Sequence, residues 1–390
     1  MAEIGVGMVG YKFMGRTHSN AYRQVARFFD VDPEPRMVAL AGRDEASVKE
    51  AAEDLGWESY VTDYHGLIER DDIQLVDVAS PGFTHKEIVV AALEAGKHVL
   101  CEKPLSNTLD EAQEMLSAAR KAGTIAMVNF NYRRVPAVQL AKRLIDDGRI
   151  GEIRHFRANY LQDWILDPQF PLVWRMKKDL AGSGALGDIG AHIVDLGQYL
   201  VGQITEVVGM METFVKQRPL EVSSGGGSGL SASAGQEMGD VTVDDASSFL
   251  AKFENGAMGS FNATRFAAGR RNHNTFEING SLGSISFNLE RMNELEVFLV
   301  EDEEGLQGFR TINVTESVHP YTGNWWPAGH IIGYEHTFVH VVKDLIDGIS
   351  KGVTPHPDFE DGYRNQAILD AVERSAESRS WTSPKEPRLS

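Results

Sequence analysis

The sequence predicts an α/β domain with a doubly wound parallel sheet over residues 1–130, followed over 131–390 by an α+β domain on an open, mainly antiparallel sheet. Three observations carry this. Short apolar runs alternate with amphipathic segments from Ile4 to Asn129, which is the rhythm of βαβ units. From Pro136 the rhythm changes, and strand-like runs with period-two alternation take over. At 390 residues the chain is too long for one average core, and a hydrophobic fraction of 42% fills two.

In the first domain the apolar run Ile4 to Val9 enters Gly10-Tyr11-Lys12-Phe13-Met14-Gly15 and then a helix to about Phe28. Strand, glycine turn and helix are the context of a dinucleotide fingerprint: Gly10 makes the tight turn, Gly15 lets the helix approach the strand, and phosphates sit over the helix N-terminus. The middle glycine is missing. Lys12 stands in its place, and its ammonium is one candidate for a phosphate contact. The second strand, Arg36 to Ala41, ends in Gly42-Arg43-Asp44, where an acid would hold a ribose 2′-hydroxyl and an arginine a 2′-phosphate. Arg43 admits NADP and Asp44 leaves NAD open.

Leu75 to Ala79 is the next strand, and its loop offers Ser80, Pro81 and His85 to the same crevice. His98 to Glu102 follows, flanked by helices whose starts, Thr84 with Glu87 and Thr108 with Glu111, both read as capping boxes. That strand stops at Glu102-Lys103-Pro104. Ligands of open α/β sheets lie outside the carboxyl ends of the strands, so Lys103 is aimed at whatever binds there. Ala126 to Asn129 then leads to Asn131-Tyr132-Arg133.

In the second domain Glu152 to Gln162 puts Phe156, Ala158 and Tyr160 on one face. Further strands are read at 206–215, 245–253, 257–264, 274–279, 284–289 and 294–300, with Asn255-Gly256 as a hairpin turn. Helices fall within 184–200, 334–349 and 360–376. The Gly/Ser-rich stretch from Ser223 to Gly239 reads as a long loop, a lid or an insertion. Within Gly184 to Asp195, residues Asp188, His192 and Asp195 are spaced to share one helix face. A carboxylate one turn from an imidazole suits proton transfer, and the same spacing also fits a metal pair or a satisfied helix histidine. No further His, Cys or Glu cluster completes a zinc site, so no metal is expected.

The balance of 38 basic to 56 acidic residues gives a net charge of −18, which speaks against nucleic acid and anionic membranes as partners. The one cysteine, Cys101, lies inside an apolar strand and reads as core. With no leader before Ile4 and no long uncharged apolar run, a cytoplasmic protein is expected.

The glycine turn, the Glu102-Lys103-Pro104 strand end and the Gly184-x-x-x-Asp188-x-x-x-His192 helix, in this order, resemble the Gfo/Idh/MocA oxidoreductases, which include glucose–fructose oxidoreductase and inositol dehydrogenases. The resemblance extends over nearly the whole chain and includes Trp174-Arg175 and the turn at 280–285. It implies a Rossmann domain and a substrate-binding domain whose sheet builds homodimers or homotetramers. It also implies Lys103, Asp188 and His192 as catalytic, with His192 taking a hydroxyl proton, Asp188 orienting it and Lys103 stabilising the developing charge as hydride leaves for NAD or NADP. Gly10, Lys12, Phe13, Met14, Gly15, Arg43, Ser80, Pro81, His85, Glu102, Lys103, Asn131 and Arg175 are the expected cofactor contacts. Lys103, Gln162, Asp163, Arg175, Asp188, His192, Arg265 and His330 are expected around a carbohydrate substrate, with Tyr132, Trp164, Trp325 and Trp326 as stacking candidates. The region 325–334 and the 390-residue length look most like relatives acting on pyranosides or anhydrosugars. A sugar, glycoside, anhydrosugar or polyol dehydrogenase is expected, with an oxidoreductive NAD-dependent glycosidase and a non-catalytic sugar or cofactor sensor as alternatives.

Overall fold

The computed structural model describes residues 2–222 and 233–388. In chain order the elements are β1 (Glu3–Val9), α1 (Phe13–Phe28), β2 (Glu34–Ala41), α2 (Glu45–Leu55), β3 (Ser59–Val61), α3 (Tyr64–Ile68), β4 (Leu75–Val78), α4 (His85–Glu94), β5 (His98–Glu102), α5 (Leu109–Ala122) and β6 (Ala126–Asn129). They continue with α6 (Pro136–Asp146), β7 (Ile153–Leu161), α7 (Lys178–Ala181), α8 (Ala191–Leu200), β8 (Ile204–Glu212), β9 (Gln217–Glu221), β10 (Ala234–Asp240), β11 (Ala246–Phe253), β12 (Met258–Thr264) and β13 (His273–Gly280). The last are β14 (Gly283–Asn288), β15 (Glu294–Leu299), β16 (Arg310–Asn313), α9 (Tyr334–Lys351) and α10 (Phe359–Ser378).

Two compact units emerge. The first holds residues 1–131, 333–366 and 387–390, and the second holds 132–332 and 367–386. Residues 333–366, which the sequence reading put in the second domain, therefore cluster with the first.

In the first unit six parallel strands run in the order β3-β2-β1-β4-β5-β6, so the direction of winding reverses between β1 and β4. The central strands are buried on both faces, which is why they read as unbroken apolar runs. α5 opens with the predicted capping box: Glu111 N–H donates to Thr108 Oγ1 at 3.3 Å, and Thr108 N–H donates to Glu111 Oε2 at 3.1 Å. The matching box at Thr84 does not form. A short 3₁₀ turn over Gly82–Thr84 precedes α4, and the Thr84 hydroxyl donates instead to Pro81 O at 2.7 Å.

The second unit is built on an eight-stranded sheet in the order β16-β15-β14-β13-β7-β12-β11-β8, antiparallel except where β7 meets β12. One face is the core: Phe156, Phe249, Phe261 and Phe276 are buried at alternate positions, and α8 lies against it. The hairpin at Asn255-Gly256 is as expected. The Gly/Ser-rich stretch differs from its reading: 234–240 forms β10, paired antiparallel with β9, while 223–232 lies outside the described residues. Among the described residues no helix is long and apolar enough to cross a membrane.

Candidate functional site

In the first unit the loops after β1, β4 and β5 lie side by side at the carboxyl edge of the sheet. Gly10 has φ +103°, and a Cβ there would come within 2.7 Å of Ala79 O; a Cβ on Gly15 would come within 2.2 Å of Gly10 O. Both glycines are therefore required by close approach, the first also by its backbone conformation. α1 starts without a side-chain cap, which leaves its first N–H groups available to an anion. Lys12 sits at that start, exposed, with Nζ 5.0 Å from the centre of the Tyr11 ring. Phe13 stacks on Tyr334 at 6.3 Å. These features fit a bound pyrophosphate without a middle glycine.

At the end of β2, Arg43 is exposed, while Asp44 caps α2 by accepting the Ser47 N–H at 2.9 Å. Ser80 Oγ pairs with Thr84 Oγ1 at 2.7 Å. His85 is buried: Nε2 lies 2.9 Å from Ser80 O, and Nδ1 lies 3.1 and 3.2 Å from Pro104 O and Leu105 O. It thus clamps the β4 loop to the β5 loop and braces the chain just after Lys103. Burial lowers its pKa, against weaker upward pulls from those carbonyls and Glu102. Glu102 points inward, with Oε2 accepting the Lys103 N–H at 3.1 Å. Asn131 donates to Thr337 Oγ1 at 2.9 Å. Cys101 is fully buried, and burial, then Glu102 and Asp77, pushes its thiol well up, so it is a core residue without thiolate character.

In the second unit, Asp188 lies in a π-helical turn, Leu186–Gly190, that runs into α8, where a regular α-helix was expected. Its carboxylate faces Arg175 Nη1 at 3.3 Å and Arg265 Nη1 at 3.8 Å. His192 is buried against two tyrosine rings, Tyr132 at 4.4 Å and Tyr160 at 5.7 Å. Asp195 takes a separate path: Arg133 grips it through Nε at 2.9 Å and Nη2 at 2.7 Å, both side chains buried. The helix start is held by Asp244, which accepts Gly184 N–H at 2.6 Å and Leu186 N–H at 2.9 Å. Arg175 lies between Val173 and Met176, which a small core with Ile165, Leu172, Val241 and Val243 pins in place.

The remaining expected contacts divide. Gln162 donates to Asn272 Oδ1 at 3.0 Å, which also accepts the Tyr160 hydroxyl at 2.6 Å, so Gln162 belongs with the His192 group. Asp163 instead holds a loop, accepting Gly269 N–H at 3.0 Å and Arg271 Nη1 at 3.1 Å. Arg265 is fully buried and donates to Asp244 O at 3.1 Å, so it braces Asp188 and Asp244 and cannot meet a ligand from solvent. His330 lies in an exposed loop. Trp164 donates Nε1 to Gln162 Oε1 at 3.1 Å, Trp325 is buried and Trp326 is exposed. Sequence reasoning missed Asp244, Asn272, Tyr160 in this role, and His18 with Asp77 and Asn129. One signal was available: Asp77 interrupts the apolar strand Leu75–Val78, and a buried carboxylate demands a partner. His356, Asp358 and Asp361 bring ligand atoms within 4.8 Å, but Asp358 and Asp361 are spent capping the start of α10.

A reversal of winding beside a glycine turn, an uncapped helix start and a strand-end lysine define a Rossmann-type, nucleotide-dependent oxidoreductase. Residues 4–130 match the oxidoreductase family with an NAD-binding Rossmann fold, and 138–286 match the GFO/IDH/MocA C-terminal domain. The chain is 44% identical over 385 residues to levoglucosan dehydrogenase of Pseudarthrobacter phenanthrenivorans, covering 98% of each. Its fold matches a solved structure of levoglucosan dehydrogenase in complex with NADH and levoglucosan, with TM-score 0.93 and 42% identity over 98% of this chain and 100% of that one. It also matches an oxidoreductase domain protein from Kribbella flavida, with TM-score 0.93 and 54% identity over 99% and 100%. The chain belongs to the Gfo/Idh/MocA family of oxidoreductases, and its nucleotide is NAD.

Proposed function

We propose that this chain oxidises a ring hydroxyl of levoglucosan or a closely related anhydrosugar or pyranoside. It is an NAD-dependent sugar dehydrogenase. The observation that carries the reading is Lys103 at the carboxyl end of β5, in the row of loops that begins with the Gly10 turn. The 44% identity to a levoglucosan dehydrogenase along almost its whole length supports the choice of sugar.

NAD, when bound, accepts the hydride. The first unit binds it: Gly10, Lys12, Phe13, Met14 and Gly15 cradle the phosphates, Arg43 meets the adenosine end, and Ser80, Pro81, Glu102 and Asn131 shape the remaining wall. His85 contributes by clamping that wall. The second unit binds the sugar through Gln162, Arg175, Asp188 and His192, with Trp326 and His330 as exposed contacts. His192 receives the hydroxyl proton and Asp188, steadied by Arg175 and Arg265, orients the catalytic group. Lys103 stabilises negative charge as it develops on the oxygen.

A cytoplasmic location and a homo-oligomer complete the reading. Met210, Leu250 and Met258 are exposed on adjacent strands of the outer sheet face, a surface suited to a second copy. The test is purified protein with NAD and a panel of levoglucosan, free sugars, inositols and aryl glycosides. Both NADH absorbance and aglycone release are followed. NADH formed with levoglucosan supports the reading, and aglycone released without NADH overturns it.

A further inference from the structure

The first unit buries a connected polar group between α1, β4, β5 and β6. His18 stands on the inner face of α1 at 1% exposure. Its Nδ1 lies 2.8 and 3.0 Å from the two oxygens of Asp77, and its Nε2 lies 2.9 Å from Glu102 Oε1. Tyr22 donates its hydroxyl to Asp77 Oδ2 at 2.9 Å, and Asn129 Nδ2 donates to Glu102 Oε1. Phe338 of α9 covers the ring at 5.4 Å. The far oxygen of Glu102 accepts the Lys103 N–H.

A neutral imidazole carries one N–H. With Nδ1–H turned to Asp77, Nε2 would accept from Asn129 Nδ2 at 2.9 Å, yet its lone pair would also stand 2.9 Å from Glu102 Oε1 in a buried site, a costly arrangement. An imidazolium donates to both carboxylates. The three charges then sum to −1, and the Lys103 ammonium, whose field reaches Glu102, brings the group to neutrality.

We propose that His18 is a positioning residue for Lys103 that stays protonated through neutral pH: it keeps Glu102 ionised, and that carboxylate fixes the Lys103 backbone and sets the field at its ammonium. The proposal rests on the role given to Lys103 above. Burial pulls the His18 imidazole down, but Asp77 and then Glu102 push harder, to a pKa of about 10. Burial pushes Glu102 up, and the hydrogen bond and charge of His18, followed by Lys103 and Asn129, bring it below the usual range. Three other titratable groups feel these carboxylates. Burial pushes the Tyr22 hydroxyl and the Cys101 thiol well up and holds the His85 imidazole down, so all three are neutral at neutral pH and none substitutes for the His18 charge.

The variants are His18→Gln, Glu102→Gln, their combination and Lys103→Ala. Without the imidazolium Glu102 takes up a proton, and its negative charge no longer stands beside the Lys103 ammonium. His18→Gln is expected to lower kcat about tenfold or more with little change in KM for the sugar. The alkaline limb of its kcat–pH profile is expected to move about one unit lower, Glu102→Gln should do the same, and the double variant should be no worse than Glu102→Gln alone. A His18→Gln profile that overlays the parent's overturns the proposal. Should that variant fail to fold, imidazole ¹⁵N resonances of the parent decide: both His18 nitrogens protonated from about pH 6 to about pH 9 support it, and a ring titrating in that range overturns it. Lys103→Ala separates the two levels. Turnover surviving in it removes the reading on which the proposal rests, whereas a dead Lys103→Ala with an unmoved His18→Gln profile removes the role of His18 alone.

Discussion

Asp244 holds Gly184 by accepting its N–H at 2.6 Å, and its own carbonyl stands where a Cβ on Gly184 would be, 1.8 Å away. The start of the helix that carries Asp188 and His192 is therefore fixed by a residue 60 positions further on. Gly184→Ala must push the two segments apart. It is expected to lower kcat/KM by about tenfold or more along with the melting temperature, measured by NADH kinetics and thermal unfolding. Unchanged kinetics would show that Asp244 does not set the position of the helix.

The pairing of Arg133 with Asp195 is buried, so breaking it on one side strands a charge. Asp195→Asn is expected to cost about 3–5 kcal/mol in denaturant unfolding, and replacing both partners by apolar residues should recover much of that loss.

Stability should fall on the alkaline side. The folded pKa of His18, about 10, lies above its ordinary value of 6.5, so the protonated form favours the fold. That contribution is complete below about pH 6.5 and is lost as pH rises through about 10. Melting temperatures of the parent should decline over this window, and His18→Gln should flatten the decline.

The two helix starts that look alike in sequence should respond differently. Thr108→Ala removes a cap that exists and should cost about 1 kcal/mol. Thr84→Ala removes no cap and should stay within about 0.5 kcal/mol, since its hydroxyl only meets neighbouring loop oxygens.

These contrasts mark what the residues reveal before a fold is known. β5 was legible because three apolar residues, Val99, Leu100 and Cys101, stop at a charged pair, and burial on both faces writes itself as an unbroken run. β10 was not, because Ala-Gly-Gln-Glu-Met-Gly-Asp lies in an exposed two-stranded ribbon and leaves no alternation to read. The place of Lys103, directly after the last residue of β5, was legible for the same reason as that strand. Asp163 and Arg265 were read as ligand contacts because charge in a half-exposed sheet resembles a binding face; the partners that bury them come from up to 108 residues away. His18 was passed over for the same physical reason, since its partners Asp77 and Glu102 lie 59 and 84 positions beyond it.

The most direct test is NADH formation from levoglucosan by the parent, Lys103→Ala and His192→Ala, each checked for an intact fold. Turnover by the parent with a loss of about a hundredfold or more in both variants is the predicted result. NADH formation that persists at the parent's rate in either variant, or its absence from the parent, would contradict the account.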